Sequence, residues 1–162
     1  SPEKIEKHML IKIGSIMNVQ CNSTISNLTK EPILATILSE PFKGAVLKGT
    51  AYGLKQHDRL YISFSRLIHN NKDYTIQANA IGNDNDAGLH AKIDNNISST
   101  LLKTLTETTT SVAAILLNSY APLIKEPSKK ITDLIETNRH LTIPKGKLFR
   151  VLFTDPVLEE YQ

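Results

Sequence analysis

The residue types that most often do chemistry are present but sparsely set. The five histidines are His8, His57, His69, His90 and His140. A helical metal site needs two of them at i and i+4, as in H-E-x-x-H, and no pair has that spacing. His57 and Asp58 are neighbours, a pairing that suggests general-base work, but adjacent residues of a strand point to opposite faces. The histidines therefore read as solvated loop residues. Cys21 is the only cysteine. As a nucleophile it needs a base beside it and an electropositive setting. The sequence shows neither, and a semi-buried structural thiol is the plainer reading. One cysteine makes no internal disulfide and no cysteine-rich zinc site.

Asp84, Asp86 and Asp94 look like a calcium loop until the register is tested. With Gly88 at the sixth loop position, Asn83, Asn85 and Ala87 fall at positions one, three and five. Asp94 then stands where the loop needs a bidentate glutamate. The cluster reads as a plain turn. There is no P-loop, no dinucleotide fingerprint and no G-x-S-x-G. Lys125, Lys129, Lys130, Lys145 and Lys147 would suit an anionic surface. Glu126, Asp133 and Glu136 lie among them, which makes a solvated mixed face. The expectation is a chain with no catalytic residues, no cofactor and no metal.

The elements that would position these residues come next. The chain has 162 residues, about one domain, with 40% hydrophobic and 22% charged residues. That suits a globular chain with a modest core. Nineteen basic and 16 acidic residues leave a net charge of +3, too small and scattered to point to nucleic acid. Fifteen Thr favour strands; 12 Ser and 12 Asn favour turns. The chain opens on Ser1-Pro2, which fits a piece of a longer protein.

Leu10 to Ile13, Gly14, then Ile16 to Val19 read as two short strands around a glycine turn or bulge. Ile33 to Leu38, bracketed by Pro32 and Pro41, reads as a buried strand. Ala45 to Tyr52 reads as another, with Gly44 and Gly53 at its ends. Leu60, Ile62, Phe64 and Ile68 are expected to face inward, with Arg59, Ser63 and Ser65 on the other face. Tyr74, Ile76, Ala78 and Ala80 alternate likewise. The two segments read as a hairpin whose loop, His69 to Asp73, has about five residues. Leu141 to Ile143, Pro144-Lys145-Gly146 and Leu148 to Phe153 repeat the strand–glycine–strand shape of residues 10–19. That echo is either a recurring barrel corner or coincidence between two ordinary strand pairs.

Between these strand regions lies a helical pattern, about 97–138. Ile97, Leu101 and Leu105 recur at helical spacing, and Val112 to Leu117 is continuously apolar. Ser98 or Ser99 could cap it. At 1.5 Å per residue, 97–120 would span roughly 30 Å, a hydrocarbon core's thickness. Thr104, Thr106 and Thr108 to Ser111 can return their hydroxyls to the helix backbone. The all-apolar half must be buried in protein or in lipid. Ser128 to Glu136 reads as a second, shorter helix with Ile131, Leu134 and Ile135 on one face. No apolar run reaches the roughly 18 residues of a spanning helix on its own.

Several stretches, in order, resemble a known family. Leu10 to Ile25 (LIKIGSIMNVQCNSTI) resembles the start of the periplasmic domain of type IV secretion core proteins. Pro32 to Gly49 (PILATILSEPFKGAVLKG) is similar to that family's P-V-x-A-x-V…G-x-x-K-G-A-x-L-x-G stretch. Arg59 to Phe64 and Ile76 to Ile81 resemble its next hairpin, and Ala87 to Asn95 its approach to the helices. His140 to Val157 is similar to its closing I-x-x-G-x-x-x-x-V-x-F-x-x-D strand. The family is the TrbI-like conjugation proteins, and Lys43-Gly44-Ala45 looks most like its DotG/IcmE branch.

The resemblance covers about residues 9–157. It implies a mainly β fold with α: a small β-barrel or sandwich forming one domain, 1–162, with an antenna-like helical insertion at 97–138 before the last strand. It implies a non-enzymatic structural subunit of a core complex, a ring-shaped homo-oligomer joined to other core-complex subunits. The place would be the periplasm and outer membrane of a Gram-negative bacterium, as part of an inner-membrane-anchored protein. The helix 98–120 would touch membrane or ring neighbours through Leu101, Leu102, Leu105, Val112, Ile115 and Leu116. The charged return segment would pack on the barrel or line a wet pore. The rival reading is a soluble periplasmic β-domain that binds a peptide or small ligand through the loop Asn70–Asp73. An enzyme reading has only His57, Asp58 and Cys21 to draw on.

Overall fold

The computed structural model describes residues 6–29, 31–94 and 134–161. Six antiparallel strands close on themselves. They are β2 (Ile16–Cys21), β4 (Ile33–Ile37), β5 (Val46–Gly53), β6 (Arg59–His69), β7 (Lys72–Ile81) and β11 (Leu148–Phe153). Their order is β5-β4-β2-β11-β7-β6, and the added β5–β6 pairing joins the two ends into a barrel. Closure gives every barrel strand a neighbour on both sides, which limits the open edges that invite aggregation. Alternation in the sequence becomes inside and outside here. Val19 and Cys21 of β2, Val151 and Phe153 of β11 and Leu47 of β5 fill the interior.

The echo between the two strand–glycine–strand segments is a true structural repeat. β2 and β11 are antiparallel neighbours. Gly14 precedes β2 with φ +86° and donates from its N–H to Phe153 O at 2.7 Å. Gly146 precedes β11 with φ +85° and donates to Cys21 O at 3.0 Å. Each glycine thus ties its turn to the far end of the other strand, a local two-fold relation. Only glycine takes this left-handed conformation without strain.

Two expectations are corrected. The hairpin loop has two residues, Asn70 and Asn71, not five. Their φ values of +50° and +63° fit the type of tight turn whose twist suits flanking strands. The inward set of β6 also changes face partway along. Lys48 pairs Arg66 and Gly49 pairs Phe64, so Ser65 is an extra, bulged residue. Beyond it the pleat reverses: Leu67 is fully buried and Ile68 is 39% exposed. Gly49 permits the close approach at this corner. A Cβ there would lie 2.1 Å from Ser63 O and 2.8 Å from Phe64 Cα.

Smaller elements decorate the barrel. β3 (Ile25–Ser26), β10 (His140–Ile143) and β9 (Lys92–Asp94) form a three-stranded sheet in the order β3-β10-β9. β8 (Leu89–His90) pairs with the start of β6. β1 (Glu6–Ile11) and β12 (Val157–Tyr161) make a separate ribbon. β11 is therefore not the last strand, as the sequence suggests; β12 follows it. Among the described residues Leu134 alone is helical. The second helix read over 128–136 lies mostly outside the described residues, and Ile135 already forms a β-bridge with Leu54.

Candidate functional site

Strand direction divides the barrel into two ends. One end gathers the last residues of β2, β5 and β7 and the first of β4, β6 and β11. The small sheet sits at that end. There β9 and β10 pair, with Asp94 opposite His140. The two ends of the segment 95–139 therefore lie side by side at one place on the barrel. The segment itself, with Leu101, Leu102, Leu105, Val112, Ile115 and Leu116, lies outside the described residues up to Ile131–Asp133.

The returning chain is fastened to the barrel end. Lys55 N–H donates to Leu134 O at 2.8 Å, and Glu136 N–H donates to Gly53 O at 2.9 Å. Glu136 is only 5% exposed, and its carboxylate accepts from the Arg139 guanidinium. Arg139 also donates to His57 O at 2.6 Å and Leu54 O at 3.3 Å. The buried Asn27 side chain donates to Arg139 O at 3.0 Å and accepts from Leu141 N–H at 2.9 Å. A buried carboxylate with one ionic partner and satisfied neighbours fixes the chain strongly, because removing either partner strands a charge.

A second arginine system holds the turn at Gly82–Gly88. Arg59 reaches Asp84 with both terminal nitrogens, at 2.9 and 3.0 Å, and donates to Ala87 O and Gly88 O. Arg150 of β11 donates to Gly82 O at 3.0 Å and to Asn85 Oδ1 at 2.6 Å. The Arg59 hydrogen bonds, followed by the Asp86 backbone, hold the Asp84 carboxyl down to about 2. His90 Nε2 lies 3.1 Å from an Arg59 nitrogen, which can only donate, so that ring nitrogen accepts. Asp84 and Asp86 thus lie in a turn locked by two arginines, while Asp94 lies apart from them in β9. No group of three or more metal-ligating side chains occurs among the described residues.

The remaining candidates have ordinary surroundings. His57 Nδ1 lies 2.6 Å from the Tyr61 hydroxyl, and burial raises the Tyr61 pKa. Asp58 lies 3.4 Å from His90 Nδ1, with both side chains well exposed. Cys21 is buried inside the barrel with Sγ 3.2 Å from Pro144 O. The three are not brought into one constellation. The loop proposed for ligand binding is the tight turn at Asn70 and Asn71, flanked by an Arg66–Asp73 ion pair at 2.7 Å. That pair holds the Asp73 carboxyl below its ordinary range. Sequence reasoning missed Arg59, Arg139 and Asn27. Only the spacing of Glu136 and Arg139, three apart, hinted at a pair.

No family model matches the chain, and no curated protein matches it. Among solved structures the chain is similar to ComB10 of the Com type IV secretion system of Helicobacter pylori. The identity is 14% and the TM-score 0.46, over 94% of this chain and 97% of that one. Among the described residues no helix is long and apolar enough to cross a membrane.

Proposed function

We propose that this chain is a structural, non-enzymatic subunit of a type IV secretion core complex, of the TrbI-like kind and its DotG/IcmE branch. Copies form a ring with other core-complex subunits at the periplasm and outer membrane of a Gram-negative bacterium. The inserted limb at 97–138 is the working part. Leu101, Leu102, Leu105, Val112, Ile115 and Leu116 contact membrane or neighbouring copies.

One observation carries this reading. Asp94 and His140 pair at one end of a closed barrel, and Glu136–Arg139 fastens the returning chain beside them. A chain that leaves and returns through one fixed root is what a projecting limb needs. The ordered resemblance of residues 9–157 to the family supports the same reading. His57, Asp58 and Cys21 stand apart, which favours work by surfaces rather than by a catalytic site.

The test is cell-envelope fractionation of the full-length protein in its native assembly. Changing Leu105, Val112 and Ile115 together to Asp should leave the barrel folded and remove the protein from the outer-membrane fraction. Unchanged fractionation would refute the limb's role. Changing His57, Asp58 and Cys21 to Ala should leave assembly intact.

A further inference from the structure

The barrel wall has a gap, and we propose that it binds an extended acidic–apolar peptide segment of a partner protein. On its β7 side, β11 pairs no further toward its start than Arg150, opposite Ile81. Leu148 and Phe149 have a strand neighbour only on the β2 side. At Gly82 the chain turns away, and β8, which would be the next wall element, pairs only with β6. Between the start of β11 and β8 lies a cleft of about 270 Å³. The Gly82–Asp84 turn, Leu89, His90 and Lys147–Phe149 line it, with Ile81. An open strand flank beside a cleft accepts an added strand, whose backbone supplies affinity and whose alternate side chains supply specificity.

The lining selects the guest. Ile81, Leu89 and Phe149 are buried and make an apolar floor, while Leu148 at the rim is 60% exposed. A guest's apolar side chain would cover Leu148. Two charged side chains line the cleft. Asp84 is already engaged by Arg59 and by the Asp86 backbone. Lys147 has no ion pair or side-chain hydrogen bond among the described residues. An incoming carboxylate therefore meets an unneutralised ammonium beside an apolar floor, and a basic guest does not. This inference stands apart from the secretion reading, since it concerns the barrel wall and not the limb.

The test is a titration of the isotope-labelled protein, followed by NMR. The probe is an acetylated, amidated 11-residue peptide of alternating Leu and Asp. Amide shifts should concentrate at Ile81–Asp84, Leu89–His90 and Lys147–Phe149. The Asn version of the peptide should bind about tenfold more weakly, as should the Lys147→Glu protein, in keeping with loss of one charge-assisted contact. Lys145→Glu, outside the cleft, is the control for general charge and should change binding little. Shifts centred elsewhere, equal binding of the Asn peptide, or equal loss in both lysine variants would overturn the proposal. So would tighter binding of a Leu–Lys peptide.

Discussion

At the barrel end where β9 and β10 pair, Glu136 is 5% exposed and its arginine partner also holds two backbone carbonyls. At the opposite end, Arg66 and Asp73 have the same ion-pair chemistry, yet both side chains are 47% exposed. The first pair joins residues of the returning chain to the β5–β6 turn. The second spans neighbouring strands of one hairpin, which the turn at Asn70–Asn71 already fixes. Burial, not charge, separates them. A desolvated pair fixes geometry because its partners have no alternative, while an exposed pair competes with water and salt. The β9–β10 end is therefore pinned, and the hairpin end is held mainly by its backbone.

Both ends depend on the wall that joins them, so the largest effect is expected there. Gly49→Val should prevent folding, because the side chain would meet the backbone at Ser63 and Phe64. Circular dichroism and solubility read this directly. At the β9–β10 end, Glu136→Ala should cost about 3 kcal/mol in denaturant unfolding, since Arg139 is left without its counter-charge. Next, Asn27→Ala should cost about 2 kcal/mol by stranding buried backbone groups of Arg139 and Leu141.

Acid should narrow the difference between the ends. Asp84 has its folded pKa lowered from 3.8 to about 2, so its pairing with Arg59 stabilises the fold above pH 3.8. That contribution is lost as pH falls toward about 2. Asp84→Asn should flatten this part of a melting-temperature profile between those values. The smallest effect belongs to Asp73→Asn at the hairpin end, whose change in melting temperature should vanish in high salt. A Glu136→Ala cost no greater than that of Asp73→Asn would break the comparison.

The sequence made some of this legible, and particular residues show why. Gly14 and Gly146 sit in matching strand–glycine–strand patterns, and the structure pairs those segments. The short apolar runs in 16–19 and 148–153 marked strands, while their alternating burial, one face inside the barrel, is visible only in the fold. Ser65 defeated the reading of Ile68, because one bulged residue reverses every later face and leaves no compositional mark. Glu136 read as part of a solvated charged face because lysines surround it in sequence. Its burial comes from Gly53, Leu54 and Asn27, which are remote in the chain. Arg59 and Asp84 are 25 residues apart, so their pairing is tertiary information. The ribbon of β1 and β12 joins opposite ends of the chain and was invisible for the same reason.

The central proposal is that the barrel carries, between β9 and β10, a segment used for assembly. The most direct test is mass measurement of the protein with its partner subunits, with and without detergent. It should be run beside a variant in which 97–132 is replaced by a short Gly-Ser linker. That deletion spares Leu134, Ile135, Glu136 and Arg139, which hold the root. The account predicts a closed multiple of the subunit mass for the intact chain, and a folded barrel that fails to assemble for the variant. An intact chain that stays monomeric in every condition, or a variant that assembles as the intact chain does, would contradict it.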